Sequence, residues 1–468
     1  MKRINNIIMD AGLAFDFQEF ESLFNASIYK IQYIGEKEFC HKLRENVNSS
    51  NVEYTVYEDL YSFEDYVFSL EEKNRLSNII DFVTRDKLTE ELWDRTMSSF
   101  IFNYSTRNEV TIIKMTISAY RFVSKHKPEF MLLYECSHNI RTWVVGRVCE
   151  ALGIPVRYGR NGIFHWRNVL LEGMNKYPNL VKDCRSIDGF SDWEYKLFEE
   201  INGRYEKGTD AIKPEYLQVM QDKGIKKIYS FWKDLKDDWK RLDRVLYKFY
   251  CYKNYEKLCS HEIPDKFIVF YLHLQPERTT LPEGYGFTQQ YKAIALLNEV
   301  IPDDWKVVVK EHPATFYRYC KPNGRWPQLY KDLAALSKVI LIPLETDTYM
   351  LMEKCKCVVS IAGTVCREAM MMGKPALQFG IDAFWGNTPY GLYNYESMEG
   401  LCDFINKIES FSGNDIKHGF KKYIQESFIE EGAVGISESI EWKNNSSCII
   451  ASNKVSRYKL MYKLLTNN

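Results

Sequence analysis

No sign of charge dominates this chain: 62 lysines and arginines face 63 aspartates and glutamates, leaving a net charge of −1. That balance offers no global field to a polyanion, so nucleic acid is not an expected partner. Long apolar runs are absent as well. The N-terminal stretch MKRINNIIMDAGLAFDFQEF is interrupted by Asp10 and Asp16, and it lacks the apolar region and small-residue cleavage site of a secretory signal. No segment approaches the roughly 20 apolar residues of a membrane-spanning helix. Both absences lead to the expectation of a cytoplasmic protein. The twelve cysteines are scattered, and only Cys355 and Cys357 lie close together. One Cys-x-Cys pair is not a zinc pattern, so reduced and mostly buried thiols are expected.

Phosphate-handling signatures are missing too. No two aspartates are separated by a single residue, which removes the Asp-x-Asp arrangement that holds a metal-bound diphosphate. There is no classical P-loop and no Gly-x-Gly-x-x-Gly fingerprint. The expectation is no metal site and no resident cofactor, with any phosphate on the ligand held by side chains and backbone.

What is present fits a globular chain of two or three domains: 468 residues, 45% hydrophobic and 27% charged. Aromatics reach 15%, a share that suits sugar-binding clefts and ordinary cores alike. In the first third, the spacing predicts a helix over 108–123, a strand over 130–134, a helix over 140–152 ended by Gly153, and a strand over 154–157. Strand, helix, glycine, strand is the pattern of a parallel βαβ unit. Residues 188–265 are charged, aromatic and helical in pattern, and are read as a helical insert and linker.

A second α/β half starts near residue 266. Strands are predicted over 267–272, 305–309, 339–342, 357–361 and 375–379, with helices over 287–300, 329–336, 348–354 and 364–372. Short connections between alternating strands and helices predict a parallel, doubly wound sheet. Ligands in such sheets bind beyond the carboxyl ends of the strands, which makes those ends the places to search.

Three strand ends carry candidate chemistry. After the first comes His273-Leu-Gln275-Pro-Glu277-Arg-Thr-Thr280, whose Glu277 can serve as base or nucleophile, or simply tether the loop. After the second comes Lys310-Glu311-His312-Pro313. An imidazole there can donate to a phosphate oxygen, and Pro313 fixes the backbone behind it. After the fourth comes Ala362-Gly363-Thr364-Val-Cys-Arg-Glu368, where a tight turn leads into a helix start able to hold an anion, or into a routinely capped helix. Without Asp-x-Asp, this set suits a donor with one phosphate, its leaving group stabilised by a histidine and a helix start.

The segments YLHLQPERTTLPEGYGFTQQ, WKVVVKEHP and CVVSIAGTVCREAMMMGKPALQFG, in that order, resemble the bacterial capsule polysaccharide biosynthesis family, which includes retaining Kdo (3-deoxy-manno-octulosonic acid) transferases. With the sequence between them they cover residues 267–380, about a quarter of the chain. The resemblance implies an α/β GT-B architecture: two Rossmann-like domains facing a cleft, with a nucleotide-activated sugar bound mainly in the C-terminal one and CMP as a plausible carrier. It implies donor contacts from Gln275, Lys310, His312, Pro313, Pro343, Gly363, Thr364 and Glu368, with His312 in the His-Pro motif and Thr364 at the phosphate. Related transferases carry paired acids after the glutamine. This chain has Gln275-Pro-Glu277-Arg278 there, so Glu277 stands alone as nucleophile or base.

In the N-terminal half, Glu135 follows the strand 130–134 and is the acceptor-side candidate for general acid or base, with capping of the next helix as the structural alternative. Arg157, Arg160, His165 and Arg167 form a basic cluster that can hold an anionic sugar or a lipid-linked phosphate, or can be a solvated surface. The tail 454–465 is basic and apolar at helical spacing. It suits the inner face of the cytoplasmic membrane or a helix packed across the domains. The expected domains are thus 1–187 for the acceptor, the insert 188–265, the nucleotide-sugar domain 266–430, and C-terminal helices over 431–468. The expected function is transfer of a sugar to a glycan or glycolipid. A CDP-glycerol-type glycerophosphotransferase and a non-catalytic polysaccharide-binding or export scaffold are the rivals.

Overall fold

The computed structural model describes residues 2–11, 26–46, 51–62, 67–97, 109–133, 135–161, 168–174, 179–180, 231–237, 239–275, 277–316, 324–380 and 388–426. The chain divides into two compact units, the first mainly within residues 1–186 and the second mainly within 187–428.

The first unit is built on seven strands: β1 (Lys2–Asp10), β2 (Ala26–Gly35), β3 (Val52–Val56), β4 (Phe130–Leu133), β5 (Val156–Asn161), β6 (Asn168–Glu172) and β7 (Asn179–Leu180). Their spatial order is β3-β2-β1-β4-β5-β6-β7. The first five run parallel, while β6 and β7 add an antiparallel edge. Ile8, Met9, Met131, Leu132 and Val156 are fully buried at its centre. The helix Ile140–Ala151 is buried along most of its length, including Trp143, Val144, Val145 and Val148, which is why its sequence shows almost no polar face. The helix Leu70–Thr84 opens with a reciprocal capping box between Ser69 and Glu72.

The second unit holds β8 (Phe267–Tyr271), β9 (Lys306–Lys310), β10 (Val339–Leu341), β11 (Cys357–Ser360), β12 (Ala376–Gln378) and β13 (Leu392–Asn394). All pair in parallel, in the order β10-β9-β8-β11-β12-β13. Counted from the first strand of the unit, this is the 3-2-1-4-5-6 order of a Rossmann sheet, and the first five strands of the other unit follow the same rule. The fold is therefore α/β with two Rossmann-like sheets, the content of a GT-B-like protein. Strands buried on both faces read as continuous apolar runs, which is why 267–271 and 357–360 were legible from sequence.

One expectation changes. The helix Leu242–Leu258, read as insert or linker, is part of the second unit's core: Tyr247, Cys251 and Tyr255 recur every four residues and are 7%, 0% and 1% exposed. Tyr247 Oη donates to the carbonyl of Arg325 at 2.7 Å, and Tyr255 Oη donates to the carbonyl of Ile342. The rest of the insert through residue 230, and the tail 431–468, lie outside the described residues. No described helix is long and apolar enough to cross a membrane. The nine described cysteines are free, with Cys355 and Cys357 buried.

Candidate functional site

In the second sheet the direction of winding reverses between β8 and β11. This neighbour pair is the sheet's topological switch point, the place beyond which ligands bind in sheets of this kind. Beside them, β9 delivers a third loop to the same edge, because all three strands run parallel. Two strand spacings separate β9 from β11, about 10 Å. The loops that carry His312, Glu277 and Thr364 therefore leave the sheet along one edge.

His273, two residues past β8, joins these loops. Its Nε2 accepts the backbone N–H of Ala362 at 3.0 Å and lies 3.0 Å from Ser360 Oγ. Because Nε2 accepts, the neutral ring carries its proton on Nδ1, which faces Thr279 Oγ1 at 3.4 Å. Thr279 Oγ1 in turn donates to Glu277 Oε2 at 3.5 Å. The His273 backbone is held as firmly: Gln290 takes its N–H at 2.7 Å and donates to its carbonyl at 3.2 Å. Burial pushes the imidazole pKa down to about 3, and the charges of His312 and Arg325 act in the same direction. The ring is neutral throughout the physiological range.

His312 has the opposite tautomer. Its Nδ1 accepts the N–H of Ala314 at 3.1 Å, so the neutral ring carries its proton on Nε2. Pro313 closes this turn, with Thr315 N–H returning to the His312 carbonyl at 3.0 Å. Burial lowers the His312 pKa to about 4; Glu311 opposes the shift while Arg325 and Lys310 reinforce it. The group is thus a neutral N–H donor at pH 7 and has no proton to gain near neutrality.

Behind the motif sits a buried ion pair. Glu311 accepts from Arg325 Nε and Nη2, from Tyr330 Oη at 2.7 Å, from Thr315 Oγ1 at 3.1 Å and from the His312 N–H at 2.7 Å. Arg325 spends its remaining N–H groups on the carbonyls of His273 and Gly324 and on Gln275 Oε1. Burial alone would raise the Glu311 carboxyl, yet the Arg325 charge and these hydrogen bonds hold it below the usual range. Sequence reading passed over Arg325, Glu311 and His273. Arg325 carried no motif signal, whereas Glu311 and His273 stood inside quoted segments and fell to their more reactive neighbours.

Several expected contacts are already engaged within the protein. Gln275 donates to the Thr288 carbonyl and accepts from Arg325, so both ends of its amide brace the loop. Lys310 is 3% exposed and donates to the Leu344 carbonyl at 2.8 Å; desolvation lowers its pKa to about 8. Its role is to tie β9 to the loop after β10, where Pro343 accepts the Thr346 N–H in a tight turn. Thr364 is exposed and starts the helix Val365–Met371, but its hydroxyl makes no cap; it donates to Glu368 Oε1 at 3.3 Å. Burial raises the Glu368 carboxyl, with Arg367 and Thr364 opposing. That helix is only seven residues long, which limits its contribution as a dipole. Gly363 leaves room for its neighbour: a Cβ there would meet Ser360 Oγ at 2.7 Å, and that hydroxyl would have to shift. Among the described residues, no cluster of three His, Cys, Asp or Glu side chains is arranged to hold a metal ion.

In the first unit, Glu135 lies two residues past β4, at that sheet's own switch point beside β1. It pairs with His138 Nδ1 at 3.1 Å. The next helix is capped by Asn139 and not by Glu135, since Asn139 Oδ1 takes the Arg141 N–H at 2.9 Å. Arg157 corrects the basic cluster. It is 9% exposed, bonded through Nε to Glu172 Oε2 at 2.8 Å across the β5–β6 pairing, and stacked over Phe130. Arg160 is described only as a position in β5, and His165 and Arg167 lie outside the described residues.

No protein-family model and no curated protein matches this chain. Among solved structures, similarity is found to KpsC, a beta Kdo 2,4 transferase of Thermosulfurimonas dismutans, at 11% identity over 63% of this chain and 87% of that one, with a TM-score of 0.31. The UDP-GlcNAc 2-epimerase of Methanocaldococcus jannaschii is similar at 13% identity over 90% and 99%, with a TM-score of 0.23. MurG of Acinetobacter baumannii is similar at 10% identity over 91% and 96%, with a TM-score of 0.24.

Proposed function

We propose that this protein is a glycosyltransferase of surface-polysaccharide synthesis, taking a sugar from a nucleotide donor bound at the carboxyl edge of the second sheet. The observation that carries the reading is His312: neutral, protonated on Nε2, and delivered to the switch-point edge on a turn braced by Glu311 and Arg325. A fixed neutral N–H at such an edge suits an oxygen on which negative charge grows as a bond breaks. The exposed Thr364 hydroxyl emerges from the neighbouring loop and serves the same phosphate.

The donor we favour is a CMP-linked ulosonic acid such as Kdo, on the strength of the three motif segments. In the reaction, the bond between the anomeric carbon and the CMP oxygen breaks, and the electron pair leaves with CMP. A hydroxyl of a glycan or glycolipid acceptor supplies the new C–O bond and loses its proton to a carboxylate. Glu277 is assigned as nucleophile or base beside the donor, and Glu135 as the acid or base that handles the acceptor. We assign no step to a metal, so chelation is expected to leave turnover unchanged. Attachment at an inner-membrane surface, where a lipid-linked acceptor would reside, is assigned to the tail 454–465.

Thermal shift with CMP, CDP, UDP and GDP tests the reading. Stabilisation by CMP, followed by CMP release from a CMP-ulosonate, is the expected result. Preference for CDP would replace it with the glycerophosphotransferase reading. A uniform lack of response would leave a non-catalytic scaffold.

A further inference from the structure

We infer that His273 is a positioning residue whose ring clamps the loop after β11 to the loop after β8, setting where Thr364 and Glu277 stand around the donor. The inference rests on the donor site proposed above and gives a role to a residue for which the motif resemblance implies none. Every polar group of His273 is engaged. Its backbone belongs to Gln290 and Arg325, so the ring projects from a fixed point. One edge of the ring takes the Ala362 N–H and abuts Ser360 Oγ; the other faces Thr279, which reaches Glu277. The hydrogen bonds share one polarity, from the Ala362 amide through the ring and the Thr279 hydroxyl to the Glu277 carboxylate.

Physical consequences follow from that polarity. With the Ala362 N–H committed to a side chain, the turn at Gly363 is held before any ligand arrives, and Gly363 is the residue that lets Ser360 Oγ stay in place. A preset loop spares the ordering entropy that binding would otherwise cost. Removing the ring's acceptor leaves a half-buried amide without its partner and detaches β11's loop from β8's, while the Arg325 brace and the His312 turn remain.

The decisive comparison is His273→Phe against His273→Gln. Phe keeps the bulk without the acceptor; Gln can place an amide oxygen near the position of Nε2. Hydrogen exchange on the substrate-free protein should speed about tenfold for the peptide spanning 361–366 in His273→Phe, and return toward wild type in His273→Gln. Donor KM should rise about tenfold in the Phe variant, with kcat changed less, and recover in the Gln variant. Unaltered exchange at 361–366 in His273→Phe, or a Gln variant as impaired as Phe, overturns the clamp. If His273→Phe does not fold, the Ala362 amide of the wild-type protein decides the point: slow exchange there, in the absence of substrate, supports the clamp, and exchange at the rate of an unprotected loop amide overturns it. Exchange is read without substrate, so failure of every nucleotide to bind would overturn the donor reading while still judging the clamp.

Discussion

Arg325 grips Glu311 through two nitrogens, Nε to Oε2 at 2.6 Å and Nη2 to Oε1 at 2.7 Å, and neither side chain is more than 1% exposed. The pair sits under the loops that carry His273 and His312, so the candidate site stands on a desolvated, fully hydrogen-bonded base. A buried pair of this kind adds little net stability over a hydrophobic replacement, but losing one partner strands the other charge. Arg325→Met should therefore destabilise the protein by roughly 3–5 kcal/mol, read from urea unfolding. A loss below about 1 kcal/mol would mean that Glu311 finds other neutralisation.

His312→Ala should cut turnover by about 100-fold or more while leaving thermal stability within a few degrees of wild type. Because the ring is already neutral, with its pKa lowered to about 4, the wild-type pH–rate profile should show no histidine ionisation between pH 6 and 8 that the variant removes. A limb near pH 6.5 that disappears in His312→Ala would contradict the neutral-donor role.

Stability should fall in acid partly through the two histidines. Their folded pKa values, about 3 for His273 and about 4 for His312, lie below the unfolded value near 6.5. The folded state therefore binds fewer protons than the unfolded chain in the window between. The contribution is complete above about pH 6.5 and is lost as pH drops toward the folded values. Each group contributes a slope of at most about 1.4 kcal/mol per pH unit. His273→Gln should flatten the dependence of stability on pH between 6 and 4.5, measured by denaturant titration across that range.

Arg157→Gln tests whether the basic cluster is structural at this position. Its ion pair with Glu172 and its stacking on Phe130 predict a stability loss of about 1 kcal/mol with acceptor KM unchanged. A several-fold rise in acceptor KM at unchanged stability would return Arg157 to the ligand.

Gly363→Ala should weaken nucleotide binding more than it weakens the fold, because its Cβ would press on Ser360 Oγ at 2.7 Å inside the loop itself. A parallel comparison with Gly324→Ala is informative. There the Cβ would meet Gln275 Cβ at 2.6 Å and the Gln275 carbonyl oxygen at 2.8 Å, beneath the site, so melting temperature should fall as well. Isothermal titration and thermal melts of both variants separate the two effects.

Much of the second unit was readable because its central strands are buried on both faces and two of its helices stop just before Pro302 and Gly373. The helix Thr348–Lys354 matches its predicted bounds, and β8, β9, β10, β11 and β12 lie within a residue of theirs. The first unit was harder. β1 and β2 mix Lys, Arg, Asn and Gln with apolar residues, as in Lys2-Arg-Ile-Asn-Asn6, so their strand character depends on neighbours far along the chain. The segment predicted as helix from residue 287 begins its helix only at Tyr291, and the side chain of Gln290 just before it bonds to the His273 backbone, a partner 17 residues away.

By itself the sequence determined which residues alternate between strand and helix, and that His312, Glu277 and Thr364 would each follow a strand, since both are matters of local periodicity and chain order. Only the tertiary structure decided that β8 and β11 are neighbours, that Arg325 reaches back 14 residues to Glu311 and 50 to Gln275, and that His273 bonds to Ala362. Parallel strand pairing and buried-charge satisfaction are long-range conditions, settled by where the chain must bury its apolar faces and match its polar groups, and no short stretch of sequence contains both partners.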